Sequence, residues 1–334
     1  TTQLFLFFAF KKEDVDPILK RKKITLSNLG HLEDKTVFQH LDGYFSDHFP
    51  FKNKFIAQSN WLFKGLFHEA NANCQVLWGK HEWLYYNATI NDERGVNEAF
   101  GYKALTTSEL QKIKRNIHTI ENWCNKHQIS FELLICPNKH SVYPENLPNS
   151  YQNQGQKSQL NQIVTYDPSI LNLIKTLRDS KKTNRELYYR YDTHWNKYGA
   201  YLAVKEIVHR LQNKFPYLKP FEAEINQVTV YKEMDLANMI GLNGYFPTSD
   251  SQLSFTKVPA RRIPHLMIVH DSFLHPMMPS LEKIFHKITS KTYTTDGFLS
   301  PEILLRENVD VFMIELVERY KGVLLGDIHP DFYK

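Results

Sequence analysis

Apolar residues fall on one face over Leu110, Ile113, Ile117, Ile120 and Cys124, at the three- and four-residue steps of an α-helix. Thr106 and Glu109 precede this run with the spacing of a capping box, so the helix is expected to start there and to reach about Lys126. Phe131 to Cys136 is a short apolar run stopped by Pro137, the pattern of a buried strand. Tyr201, Val204, Val208, Leu211 and Phe215 mark a second helix, with Asn196 as its expected cap. Leu266 to Val269 and Val311 to Ile314 are further apolar strands, and Leu281, Ile284 and Phe285 predict a helix between them. Val164 to Tyr166 is read as a strand, with a helix through Ile170, Leu171, Ile174 and Leu177 behind it. Gln75 to Trp78 and Trp83 to Tyr86 flank Gly79-Lys80-His81-Glu82 and predict a hairpin.

Strands and helices that alternate in this way predict an α/β fold with a mostly parallel sheet covered on both faces. Sites in such folds gather at the carboxyl ends of strands. Residues 217–260 lack periodicity and are expected to form an inserted lobe or lid, and the Asn/Gln/Ser-rich stretch 149–161 a loop. One main domain is expected from 334 residues.

Composition narrows the function classes. With 42% hydrophobic and 23% charged residues the chain is neither disordered nor a membrane bundle. The net charge of +5 is spread without a polybasic run, which argues for an anionic partner and does not argue for nucleic acid. Cys74, Cys124 and Cys136 lack CxxC spacing, so neither a zinc knuckle nor a disulfide scaffold is implied. The apolar run Leu4 to Phe10 is too short to span a bilayer and reads equally as the end of a signal anchor or as a first strand.

Two strand-terminal segments carry the candidate chemistry. Tyr191-Asp192-Thr193-His194-Trp195 offers a carboxylate and an imidazole two residues apart, and Val269-His270-Asp271-Ser272-Phe273 ends an apolar strand in a hydroxyl. Acyl transfer by a serine needs a nucleophile, a base, and a carboxylate that orients the base. The plainer reading of Ser272 is a helix cap, a role open to Asp271 as well. Asp192, His194, His270, Asp271 and His275 are also potential metal ligands, although no HExxH or CxxC pattern supports a metal site.

Over residues 40 to 320 the chain resembles the SGNH-hydrolase-like proteins of the alginate O-acetyltransferase group, also called DHHW proteins. The resemblance rests on six segments in family order: Tyr44 to Phe51, Gly79 to Tyr85, Pro137 to Pro144, Asp192-Thr193-His194-Trp195-Asn196, Asp271-Ser272-Phe273, and Glu315 to Arg319. It implies a flavodoxin-like SGNH domain over residues 31–334, preceded by a segment 1–30 that ends a membrane anchor and stalk. The implied activity is O-acetylation of a bacterial exopolysaccharide or cell-wall polymer through Ser272, His194 and Asp192, without cofactor or metal. The Ser272 N–H is expected in the oxyanion hole, and the loop position of Asn138, Lys139 and Tyr143 makes them candidates for the rest. A polysaccharide acceptor, a membrane-bound O-acyltransferase as donor partner, a periplasmic or other extracytoplasmic location and a monomeric state follow from the same resemblance. An acetylesterase with the same triad, or a polysaccharide-binding scaffold without turnover, are the alternatives. Two departures stand out: His270 occupies the position where the family usually has glycine, and no added carbohydrate-binding module is evident after residue 320.

Overall fold

A capping box opens the first long helix of the domain, as its sequence predicts. The Glu109 N–H donates to Thr106 Oγ1 at 3.2 Å and the Thr106 N–H to Glu109 Oε2 at 2.7 Å. The structure, a computed structural model, describes residues 75–87, 89–90, 93–94, 104–149, 158–183, 185–242, 246–292 and 300–334, with 23–25, 34–49 and positions 51, 55, 58, 59 and 62. The Leu4 to Phe10 run and Cys74 lie outside the described residues.

In chain order the helices are α1 (Asp34–His48), α2 (Thr107–Lys126), α3 (Lys139–Val142), α4 (Gln159–Tyr166), α5 (Leu173–Ser180), α6 (Lys197–Leu211), α7 (Asp235–Met239), α8 (Met278–Leu281) and α9 (Pro301–Arg306). The strands are β1 (Val76–Trp78), β2 (Leu84–Tyr86), β3 (Thr89–Ile90), β4 (Glu93–Arg94), β5 (Ser130–Cys136), β6 (Glu222–Val230), β7 (Thr248–Lys257), β8 (Ile263–His270), β9 (Phe285–Thr292) and β10 (Val311–Val317). The central sheet has the order β5-β10-β8-β9, and every pair in it is parallel.

Side chains alternate across the strands, and each face packs on its own helices. Leu134, Leu266, Ile268, Val311 and Met313 join α5 and α6 in one cluster, while Ile135, Met267, Val269, Phe312 and Ile314 join α2 and α4 in the other. Burial on both faces explains why β5, β8 and β10 read as continuous apolar runs. Residues 217–260 contain β6 and β7, which pair antiparallel, with α7 between them. The pair packs its inner residues, among them Ile225, Leu253 and Phe255, against the α6 side of the sheet. Cys124 and Cys136 are buried free thiols. Among the described residues no helix is long and apolar enough to cross a membrane.

Three expectations are corrected. Val164 to Tyr166 belongs to α4, not to a strand: Ser158 caps that helix by accepting from the Asn161 N–H, and Leu160, Ile163 and Val164 bury one helical face. The following helix starts only at Leu173, so Ile170 and Leu171 lie before it. Phe285 opens β9 instead of continuing a helix, because the Ile284 carbonyl already accepts the Ile263 N–H at the sheet edge.

Candidate active site

Loop closure positions the Asp192 segment. Tyr188 and Trp195 form an antiparallel bridge, and the Asn196 N–H donates to the Leu187 carbonyl at 2.9 Å. Asn196 then caps α6, its side chain accepting from the Tyr198 and Gly199 N–H groups, as its sequence position predicts. A Cβ at Gly199 would lie 2.4 Å from the Leu187 carbonyl oxygen, so glycine lets helix and loop approach this closely. At the loop tip the carbonyls of Tyr189, Arg190 and Asp192 accept from the Lys139 ammonium at 3.0, 3.0 and 2.6 Å. That ammonium is fully buried over the rings of Trp83 and Tyr85. Burial brings its pKa down to about 7, against the pull of Asp235, Asp192 and Glu186.

The serine turn is set by Asp271. Its Oδ1 accepts from the Phe273 N–H at 2.8 Å and its Oδ2 from the Val317 N–H at 2.7 Å, which caps the 3-10 turn Ser272–Met277 and ties it to β10. The cap is therefore Asp271, and the Ser272 hydroxyl stays exposed and available. The Asp271 N–H donates to Glu315 Oε2 at 3.1 Å. His270 ends β8 and turns its Nδ1–H onto the Asp271 carbonyl at 2.6 Å, so the imidazole folds against the turn without blocking Ser272.

The two segments meet. His194 Nδ1 lies 2.6 Å from Asp192 Oδ1, and His194 Nε2 lies 2.7 Å from Ser272 Oγ. A carboxylate can only accept, so Nδ1 carries the proton and Nε2 is left to accept from the serine hydroxyl. Trp195 Nε1 donates to the Phe273 carbonyl at 2.9 Å, and the His194 and Phe273 rings pack with centroids 4.8 Å apart, which fixes one segment on the other. Burial alone would raise the Asp192 carboxyl. The hydrogen bond and charge of His194, with the N–H groups of Asp235 and His194, outweigh it and hold Asp192 well below the usual carboxylate range.

Asp192, His194 and Asp235 have donor atoms within 4.8 Å of one another, close enough to share a cation. His270, Asp271 and His275 do not belong to that group. Each donor is already committed: Asp192 Oδ1 to His194, Asp192 Oδ2 to the Asp235 N–H, and both Asp235 oxygens to Thr193. The set fits a hydrogen-bonded relay better than a ligand shell.

The loop after β5 divides its duties. Lys139 spends its three protons on the loop carbonyls and has none left for an oxyanion, while the Tyr143 hydroxyl anchors the same segment by accepting from the buried Leu187 N–H at 3.0 Å. Asn138 differs. Its N–H donates to Glu318 and its Oδ1 accepts from Arg319 at 3.1 Å, while its buried Nδ2 has no acceptor. The Arg319 guanidinium lies over the Phe273 ring at 5.5 Å, beside the serine turn. Asp235 carried no sequence signal, because it sits in an aperiodic stretch far along the chain from Asp192.

The model of the family described as SGNH hydrolase-like domain, acetyltransferase AlgX, matches residues 76–264. The matched stretch holds Asp192 and His194 and ends before Ser272, so the serine is tied to the pair by the tertiary geometry. A probable alginate O-acetylase AlgJ from Pseudomonas fluorescens is 25% identical over 191 residues, 53% of this chain and 43% of that protein. The match thus spans less than half the length of that relative. Bacillus cereus PatB1, solved with a sulfonyl adduct, superposes with a TM-score of 0.50 at 12% identity, over 76% of this chain and 97% of that one. A DHHW family protein from Eubacterium siraeum gives a TM-score of 0.50 at 14% identity, over 78% and 98% of the two chains. At these identities the solved structures establish a shared SGNH-like fold.

Proposed function

The chain belongs to the SGNH hydrolase-like acetyltransferase AlgX family, and on that premise we propose that it is an O-acetyltransferase acting on hydroxyls of a bacterial exopolysaccharide or cell-wall polymer. The observation that carries this reading is the single imidazole of His194 bonded on one side to Asp192 and on the other to Ser272. Ser272 Oγ attacks the carbonyl carbon of an acetyl donor as His194 Nε2 takes the hydroxyl proton. The imidazolium returns that proton to the departing group, leaving acetyl on Ser272. An acceptor hydroxyl then gives its proton to Nε2 and attacks the acetyl carbonyl, and the serine is restored. Asp192 holds the tautomer that makes Nε2 the base. The Ser272 N–H and the unpartnered Asn138 Nδ2 are the proposed oxyanion donors. No step calls for a metal or cofactor.

The kinship with acetylating proteins supports an extracytoplasmic site of action; a polysaccharide acceptor, a membrane-bound O-acyltransferase as donor and a monomeric state complete the proposal and rest on the sequence resemblance. Intact mass after brief exposure to an activated acetyl ester tests the reading. One acetyl group is expected on the wild-type protein and none on Ser272→Ala, with faster clearance when polysaccharide is added. Clearance that ignores polysaccharide identifies an esterase, and a folded protein that never takes up acetyl rejects the acyl-enzyme route.

A further inference from the structure

Behind the Asp192-His194 pair lies a second carboxylate. We infer that Asp235, delivered to the site by the excursion between β6 and β7, is a positioning residue for His194 that locks the Asp192 loop and adds a second negative charge behind the imidazole. The inference rests on the acyl-transfer reading above for its functional meaning.

The contacts are reciprocal. The Asp235 N–H donates to Asp192 Oδ2 at 2.9 Å, while Asp235 Oδ1 accepts from the Thr193 N–H at 2.7 Å and Oδ2 from Thr193 Oγ1 at 2.5 Å. Two residues on, the Ala237 N–H donates to the Tyr191 carbonyl at 3.1 Å. The start of α7 therefore clasps Tyr191, Asp192 and Thr193 in succession. With its second oxygen held in this way, Asp192 cannot rotate away from His194.

Packing shows that the clasp is firmly seated. Met234, Leu236, Ala237, Ile240 and Leu242 form one buried cluster with the β1–β2 hairpin and with Tyr189 and Tyr191. A turn needed only for shape would be served by a neutral side chain. Here a half-buried acid stands beside the buried Asp192, and Asp235 Oδ2 lies 3.8 Å from His194 Nδ1.

The groups that face this carboxylate are Asp192, Thr193 and His194 from the loop, Lys139 from α3 and Tyr86 from β2, with Lys232 near Asp192. Of these, Lys139 is fully spent on loop carbonyls. When His194 takes the proton of Ser272 or of an acceptor hydroxyl, the imidazolium faces two carboxylates. The second charge favours that protonated form.

The test reads His194 directly. Histidine-labelled protein is titrated by NMR, with the His194 signal assigned by its loss in His194→Gln. In Asp235→Asn the imidazole midpoint is expected about one unit lower than in wild type, and Asp235→Glu restores it. Acetylation of Ser272 is expected to slow about tenfold in Asp235→Asn, with the acid limb of its pH profile moved in the same direction and acceptor KM unchanged. Titration curves that superpose overturn the inference. Where Asp235→Asn does not fold, Asp235→Ser, which keeps an oxygen for the Thr193 N–H, takes its place. Failure of both neutral variants to fold also overturns it, because the carboxylate then serves architecture alone. Should wild type take no acetyl group, the acyl-transfer reading falls, and the imidazole titration still decides the part of Asp235.

Discussion

Glu315 has no exposed surface, yet it stands on the face of β10 that otherwise carries Met313 and Val317. Its Oε1 accepts from the Cys136 thiol at 3.0 Å and its Oε2 from the Asp271 N–H at 3.1 Å, and it hydrogen-bonds the Asp271 side chain as well. Burial first, and the Asp271 charge second, raise its pKa well above the carboxylate range, so it holds a proton and acts as a neutral brace for the serine turn. Glutamine has the same shape and is neutral. Glu315→Gln is accordingly expected to keep fold and acetylation, whereas Glu315→Ala leaves buried groups unpaired and costs about 2 kcal/mol. Urea unfolding beside the acetylation rate measures both. Lys139 is the matching case on the other segment. Lys139→Met abandons three loop carbonyls, for an expected loss of about 3 kcal/mol and of Ser272 acetylation. Equal stability in that variant would mean that the loop is held by the Tyr188–Trp195 bridge alone.

The hairpin of β1 and β2 shows what one element owes to its turn. His81 and Glu82 sit at φ values of 53° and 63°, and Gly79 lies where an added Cβ would come 2.3 Å from the Asn146 carbonyl oxygen and 2.7 Å from the Tyr85 ring. The glycine here meets a need for room, since its φ is −93°. Gly79→Ala is expected to lower stability by about 1 to 3 kcal/mol by displacing Tyr85, whose hydroxyl donates to the Tyr143 carbonyl at 2.7 Å. Thermal unfolding of the variant checks this, and an unchanged midpoint would show that residues 144–146 yield easily. The three-residue spacing of capping pairs and the apolar stripe of α2 were legible because helix contacts are local. The polar strand β9 was not: at the sheet edge only Phe285 in it is buried, so no apolar run marks it. Val164 to Tyr166 misled for a related reason, since β-branched residues suit either state and the Ser158 cap decides.

Over the whole molecule, buried acids set the response to pH. Burial raises Glu132 to about 7 against its Arg210 partner, and it raises Glu315 and Glu318 as well. Between the ordinary Glu value of 4.5 and the raised one, the folded chain keeps protons that the unfolded chain has lost, so stability falls as pH rises. His140 opposes this: burial lowers it to about 3, and its contribution grows with pH up to 6.5. Glu132 and Glu315, both protonated across this range in the folded chain, outweigh the one histidine, and the urea midpoint is expected to be higher at pH 5 than at pH 7. Above 7 Lys139 reverses the trend, because its folded ammonium releases a proton that the unfolded one retains to 10.5. Below about 4 the unfolded chain takes up protons that the depressed Asp192 and Asp167 carboxylates refuse in the folded one, so their stabilisation declines as pH falls further. A midpoint that climbs steadily from pH 5 to 7 would show that these acids are solvated.

What the sequence by itself determined were features that neighbours in the chain decide: the capped helices α2 and α6, the β1–β2 hairpin, the buried strands, and the two segments that carry Asp192, His194 and Ser272. Their chemistry was legible because a short motif holds its residue types together. Only the tertiary structure decided how those types are used. It paired His194 with Ser272 and made Asp271 the cap, it consumed Lys139 in holding a loop, and it brought Asp235 and Glu315 to the site. The physical reason is that a hydrogen bond spends a donor or acceptor once. Which partner takes it depends on distances across packed elements, which spacing along the chain does not encode.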